Sequence, residues 1–433
     1  MKQKGLSLQF DFNQVSSNFC KASVTIPASL VDKTYEQAVL AQSRSIRPHG
    51  FRSKEVPIEY VKQNFENNIN HHLEEFLFKY FALNFLLKSI KEQKINIVGE
   101  PRITEVFIKP DQEATFNFDI NLFPKIEFQN WKYYPFKAPK RKNYKDLDRQ
   151  VEEFMKKEKI KRKETLDETI KIRDWISFDL WIVDENDKPI FGEYKENLWL
   201  KIGYEEADSE LQNLFVGKKE GDIFYTEDDS IQEYFGTQIG SNYRFCIEIK
   251  DVLNNSFFCF DNFKRQFRLK TKKEMRKRLI EVFSYRNDIS QRQAMVEETF
   301  KLMLSKYNLD VPNYLVLRQQ KDVMEDIKKN PDYHVYKTQD NFEDHIKKLA
   351  HKQVKEIILI EQLANKENIH ATDEDLACYL NLTKRPRMKE FIYFKMPETR
   401  VEGQETPIPA ELIRRQCLRE KTLNYIIFHL TRK

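Results

Sequence analysis

The segment richest in chemistry is Arg47-Pro48-His49-Gly50-Phe51-Arg52-Ser53-Lys54-Glu55-Val56-Pro57. Gly50 admits backbone angles closed to other residues. Phe51 places an apolar ring in a polar loop, and Arg47, Arg52 and Lys54 surround it with positive charge. An exposed ring flanked by cations suits binding, because the ring anchors while the cations meet phosphate or carboxylate. The plainer reading tucks Phe51 back onto its own helices, and residue types alone leave the two level. A second cluster, Lys264, Arg265, Arg268, Lys270, Lys272, Lys273, Arg276, Lys277 and Arg278, holds one acid, Glu274, and interleaves with Phe263, Phe267 and Leu269. It could grip phosphates. The commoner outcome is a solvated helix face whose stems cover apolar neighbours.

Catalytic signatures are absent. No Gly-x-Gly-x-x-Gly, Walker loop, Gly-x-Ser-x-Gly or His-Glu-x-x-His occurs, so no cofactor is expected. Adjacent His71 and His72 point apart on a helix, and His345 and His351 are poorly spaced for one helical face. No metal is expected. Cys20, Cys246, Cys259, Cys378 and Cys417 form no close pair, which reads as reduced intracellular thiols. Lys and Arg number 73 against 68 Asp and Glu, for a net charge of +5 on a 33% charged chain of 433 residues. That balance describes a soluble protein, not a polybasic wrapper of nucleic acid. With 33 Phe and 19 Tyr there is ample material for cores, and only 10 Gly, so helix should dominate. Neither a signal-peptide pattern nor a long apolar run is present, so a cytoplasmic location and no membrane partner are expected.

The elements that must position these residues follow from periodicity. Residues 1–27 alternate as strand, and Ala28 to Ile46 repeats as helix, stopped by Pro48. Pro57 opens a second pattern running from Ile58 to Leu87, a rod of about 50 Å if unbroken. Strands return at Ile97–Ile108 and Thr115–Phe123, giving a β–α–loop–α–β–β unit with residues 47–57 at its tip. A connector over residues 128–173 follows, with 15 basic and 8 acidic residues between Lys132 and Arg173 and a solvated helix expected at Tyr144–Lys163. Six of the glycines then fall between Gly192 and Gly240, among strand-like runs at Trp175–Val183, Asn197–Ile202, Ile223–Thr226 and Arg244–Val252. Helical periodicity resumes over 272–305, 312–329, 341–367, 373–381 and 408–430.

The tip loop resembles the Gly-Phe-Arg-x-Gly-x-x-Pro signature of the bacterial trigger factor family, ribosome-associated chaperones. Gly50, Phe51, Arg52 and Pro57 match in register, with Lys54 at the second glycine and Glu55 after it. Thr25-Ile26-Pro27, Asn121-Leu122-Phe123-Pro124 and Asp310-Val311-Pro312 are similar to family landmarks in the family's order. The resemblance implies an α+β multidomain fold. Its parts are an N-terminal α/β ribosome-docking domain (1–127), a basic linker (128–167), a small FKBP-like β-rich domain (168–253) and an all-helical C-terminal chaperone domain (254–433). Gly50, Phe51, Arg52, Lys54 and Pro57 become the ribosome-binding set. The implied partners are the large ribosomal subunit near the nascent-chain exit and nascent or unfolded polypeptides, and a homodimer of free molecules is compatible with them.

For the β-rich domain the resemblance implies a peptidyl-prolyl isomerase, with Tyr234, Phe245 and Phe191 as the candidate pocket. Such a pocket holds a proline ring in a dry aromatic cup where the twisted amide loses resonance more easily. Leu180 replaces the family's phenylalanine, and Asp208-Ser209-Glu210-Leu211 replaces an apolar segment, so Asp208 and Glu210 are expected to wet the cup. The fold and a peptide-binding surface should be retained with weak or absent catalysis, and enzyme status stays open. An ATP-independent chaperone of nascent chains is the leading reading. An active prolyl isomerase and an RNA-binding protein using 132–173 and 264–278 remain as rivals.

Overall fold

The computed structural model describes residues 8–51, 56–109, 111–123, 126–139, 147–164, 169–184, 186–190, 194–234, 243–253, 264, 269–287, 289–307, 309–384, 392–394, 396–401 and 403–431. The chain divides into two units, Met1–Phe123 with Ser177–Leu198 and Glu205–Asp251, and Pro124–Ile176 with Trp199–Tyr204 and Val252–Lys433. It combines helices and sheets in a multidomain layout, as its sequence leads one to expect.

In the first unit β1 (Gln9–Ser16), β2 (Phe19–Ile26), β3 (Ile97–Phe107) and β4 (Ala114–Leu122) form an antiparallel sheet of order β1-β2-β4-β3. Alternation decides which face is buried. Cys20, Ala22, Val24 and Ile26 of β2 point inward with Ala114, Phe116, Phe118 and Ile120 of β4, and the register sets Ala22 opposite Phe118. Leu73, Leu77, Leu86 and Ile90 cover this face from the helices.

Those helices are α1 (Ala28–Ser45), α2 (Ile58–Asn64), α3 (Glu66–Phe76), a π turn (Leu77–Ala82) and α4 (Leu83–Glu92). Pro27 and Pro57 precede α1 and α2 in extended conformation, as a residue without an N–H allows. The single rod expected after Pro57 is broken twice. The Asn64 side-chain amide donates to the Tyr60 carbonyl at 2.9 Å, the acceptor a continuous helix reserves for its own N–H, and Phe65 leaves helical angles at φ −127°. The second break is the π turn. Its widened backbone frees carbonyls at Lys79 and Tyr80, and the Asn84 amide bonds both, at 3.0 and 3.2 Å.

Downstream, β5 (Trp175–Val183), β6 (Glu196–Lys201), β7 (Ile223–Thr226) and β8 (Arg244–Leu253) belong to a sheet of order β11-β6-β5-β8-β7, whose edge strand β11 (Ile408–Pro409) comes from far along the chain. Phe178 packs on Phe215 with centroids 5.2 Å apart, and Phe215 meets Phe224 edge-on at 5.9 Å. Phe215 ends α6 (Ser209–Phe215), after which Gly217 and Gly221 take φ +85° and +86° and the Gly221 N–H donates to Ile249. Short α7 (Asp229–Tyr234) leads toward β8.

The second unit contains α5 (Leu147–Glu164), α8 (Lys272–Asn287), α9 (Ile289–Lys306), α10 (Asn313–Lys328), α11 (Tyr333–Lys337), α12 (Phe342–Lys366), α13 (Asp373–Lys384) and α14 (Ala410–Thr431). Phe128 and Trp131 enter its main core beside Phe300, Leu359, Leu363 and Leu423. A second core joins Trp175, Trp199 and Leu253 to Leu376, Leu380, Ile413 and Cys417. The short strands β9 (Arg400–Val401), β10 (Gln404–Glu405) and β11 interrupt the helical run before α14. Lys201 pairs with buried Glu405 at 2.9 Å beside them. Helical periodicity alone passes over these strands. No helix among the described residues is long and apolar enough to cross a membrane.

Candidate functional site

The tip grows directly out of the helix boundaries. α1 closes with the Ile46 N–H donating to Gln42, and the Phe51 N–H reaches back to Pro48 at 3.3 Å. Between them Gly50 sits at φ +94° with open space around the position a Cβ would take, so only backbone strain resists substitution there. Phe51 is 39% exposed, and its ring lies 5.0 Å from that of Tyr60 on α2. The ring thus rests on Tyr60 while part of it stays exposed. Val56 is buried, and Pro57 is exposed at the entry to α2. Arg52 and Lys54 lie outside the described residues.

In the β-rich region Phe245 is fully buried on β8, opposite Thr226. Gln232 on α7 clamps the start of that strand, its Oε1 accepting the Tyr243 N–H at 3.0 Å and its Nε2 donating to the Tyr243 carbonyl. Tyr243 and Phe245 thus share a face, with ring centroids 6.3 Å apart. Tyr234 at the end of α7 is half-buried. Burial, then the charges of Glu196 and Tyr194, push its hydroxyl well above the usual range. Tyr194 is itself driven up to about 12 by burial and by Glu196, against a hydrogen bond with Asn84 that lowers it. Phe191 lies outside the described residues. Tyr194, Glu196 and Tyr243 escaped the sequence reading. Tyr243 directly precedes β8, and its i, i+2 spacing from Phe245 was the signal for it.

Asp208 does not act as expected. It is fully buried, and its Oδ2 accepts the Glu205 N–H at 3.2 Å in a reciprocal capping box. Asp208 is thus committed to its own turn, while Glu210 is exposed on α6. Leu180 is buried as well.

The basic run is partly spent on structure. Arg276 pairs with Asp148 and Glu152 at 3.3 and 3.0 Å, while Met275 and Leu279 of α8 bury Val151 of α5. Arg265 and Arg268 lie outside the described residues. Among the described residues no group of His, Cys, Asp and Glu could hold a metal ion. His72 is buried and stacks on Phe76, whereas His71 is exposed beside Glu75 at 3.7 Å.

Exposed apolar side chains also occur in the second unit. Leu317, Val335, Tyr336 and Leu349 are exposed on α10, α11 and α12. A cleft of about 640 Å³ runs among Met324, Lys328, Tyr333 and Phe342.

Two family models match the sequence: "Bacterial trigger factor protein (TF)" over residues 8–157, and its C-terminal counterpart over residues 261–382, together well over half of the chain. The chain belongs to the bacterial trigger factor family. Trigger factor of Rickettsia canadensis is 23% identical over 94% of this chain and 90% of its own. That of Campylobacter jejuni is 25% identical over 97% of this chain and 96% of its own. A solved trigger factor chaperone, described for promiscuous substrate recognition in folding and assembly, covers 96% of this chain and 99% of its own at 15% identity and a TM-score of 0.39. Membership of the trigger factor family carries the function read from the sequence, a ribosome-associated folding chaperone.

Proposed function

We propose that the chain works in the cytoplasm as a passive, nucleotide-independent holdase that docks through its tip loop. Phe51, Arg52 and Lys54 contact the large ribosomal subunit near the nascent-chain exit, with Gly50 and Pro57 shaping the loop. Residues 1–127 form the docking domain, 128–167 the linker, 168–253 an FKBP-like module and 254–433 the body that holds clients. The observation that carries this reading is Phe51, a large apolar side chain left 39% exposed at the tip of a helix pair. Such a ring is an anchor awaiting a partner. Clients are held by burial of their apolar surface against Leu317, Val335 and Leu349, which needs area and no energy source.

The FKBP-like module adds a proline-binding site built on Tyr234, Tyr243 and Phe245. Its aromatic group and the capped Asp208 support this assignment. Isomerase activity in the full chain is low. A homodimer of the free protein is compatible with the same reading.

Docking is tested by co-sedimentation with ribosomes, comparing wild type with a variant carrying Phe51→Ala, Arg52→Ala and Lys54→Ala. Loop tips in general carry little core, so the variant should keep its fold and lose most ribosome binding. Wild-type pelleting by the variant would remove the tip from the assignment.

A further inference from the structure

Around the π turn the helical segment of the first unit has two faces. Leu77, Ala82 and Leu86 enter the core beneath the N-terminal sheet. Phe76, Lys79 and Tyr80 turn elsewhere within the same unit. Phe76 meets Tyr243 edge-on with centroids 5.6 Å apart, and Tyr80 meets Tyr194 edge-on at 5.1 Å. Lys79 Nζ lies 2.6 Å from Glu196 Oε1, with Glu196 buried and Lys79 about 39% exposed. Phe76 and Tyr80 are both buried by this contact and their own helix.

The partners of this face matter more than its area. Tyr243 stands next to Phe245, and the charges and hydroxyls felt by Tyr80 are those of Glu196, Tyr194, Tyr243 and Tyr234. Of these, Tyr234, Tyr243 and Phe245 are the ones assigned above to a proline ring, with Tyr194 and Glu196 beside them. Phe76 therefore lies against a wall that a substrate would need dry and open, and Tyr80 packs on Tyr194 beside it. A docking contact between two parts of one chain could have used any exposed patch. This one is centred on the cup, with an ion pair at its rim.

We propose that the Phe76–Tyr80 face is an intramolecular lid on the proline-binding group of the FKBP-like module, latched by Lys79 and Glu196. The lid rests on the reading of that group as a proline site. It also gives a cause for low isomerase activity other than a wetted cup. A site open in only a small fraction of molecules binds its ligand with an affinity lowered by that fraction. Parting the two surfaces restores the affinity without any change inside the cup.

The test uses the full chain and a fluorescein-labelled tetrapeptide with a central Leu-Pro bond, its binding followed by anisotropy. Wild type is compared with Lys79→Glu and with the exchanged pair Lys79→Glu/Glu196→Lys. Hydrogen exchange of residues 76–84 is measured on the same samples. Lys79→Glu sets two carboxylates together, so it should speed exchange in 76–84 and tighten peptide binding by about fivefold or more. The exchanged pair should restore both the protection and the weak binding. Faster exchange with peptide affinity unchanged at a measurable value would make the contact a structural one, and the lid would fall. The same holds if Lys79→Glu changes neither exchange nor binding while wild type already binds well. In that case the proline site stands. Release of 76–84 with no peptide binding in any of the three proteins would sink the proline site itself, and the lid with it.

Discussion

Trp131 donates its indole N–H to Oε1 of Glu367 at 3.0 Å, joining positions 236 apart in the sequence. The same carboxylate accepts from Lys132 Nζ at 2.5 Å and from the Tyr425 hydroxyl at 2.9 Å. One side chain at the end of α12 thus ties the segment after the N-terminal domain to two helices of the body. Burial works to raise the Glu367 pKa, and the bonds from Lys132, Trp131 and Tyr425 outweigh it, so the carboxyl is held below its usual 4.5.

Replacing Glu367 by Ala should therefore cost about 2–3 kcal/mol, because three donors lose a charged acceptor. The pH dependence follows from the depressed value. The stabilisation is complete above 4.5 and is lost as pH falls through the lower folded pKa. Urea unfolding followed by tryptophan fluorescence between about pH 3 and pH 7 should show a shallower acid slope in Glu367→Gln than in wild type. Equal slopes would mean that the network contributes nothing to acid sensitivity.

Glu420 should behave in the opposite sense. It is buried on α14, where Oε1 accepts the N–H groups of Tyr393 and Phe394 at 2.5 and 2.6 Å. Burial pushes its carboxyl up to about 7, against lowering by Arg292 and by those two N–H groups. With the folded pKa above the unfolded one, the native state binds more protons across the interval from 4.5 to about 7. Stability contributed by this group then declines as pH rises through that window, by an amount on the order of 3 kcal/mol. Glu420→Gln, which cannot ionise, should flatten the decline, and thermal unfolding at several pH values reads it directly. A wild-type curve that rises steadily over the window, unaltered by the substitution, would contradict the assignment.

Trp199 separates a β module that is merely attached from one that is built in. Its side chain is buried with Trp175 and Leu253 against Leu376, Leu380 and Ile413. Trp199→Ala should cost about 3–5 kcal/mol and lower the unfolding transition of the helical region with it. Replacing residues 168–253 by a short linker would remove Trp175, Trp199 and Leu253 together. That deletion should weaken the body and not leave it intact, as circular dichroism melting of the variant would show.

The contrast between legible and hidden features has a physical cause. β2 and β4 were visible because one buried face imposes a two-residue period that survives in any context. β5 is equally plain, since Trp175–Val183 is apolar enough to be strand wherever it pairs. The break at Phe65 was hidden because the apolar pattern runs on through it, while the backbone there turns to φ −127°. Ile408–Pro409 looked like the start of a helix, and only pairing in the sheet with β6 makes it a strand. The tip announced itself by residue type at Gly50 and Phe51. Tyr194, Glu196 and Lys79 did not, since their contacts are with partners distant in sequence.

Client binding gives the last prediction. Leu317, Val335 and Leu349 are 52%, 63% and 40% exposed. Changing all three to Ser should move the melting temperature little, because surface substitutions away from cores and caps are close to neutral. Suppression of aggregation of a denatured enzyme, followed by light scattering, should fall by about half or more on the proposal that this apolar area holds the client. Wild-type suppression needs no added nucleotide and should change little between about 50 and about 200 mM salt, because apolar burial is not screened as charge pairing is. Full suppression by the triple variant would move client binding away from α10, α11 and α12. Wild-type suppression that vanished at the higher salt would point instead to cations such as those of α8 as the holding groups.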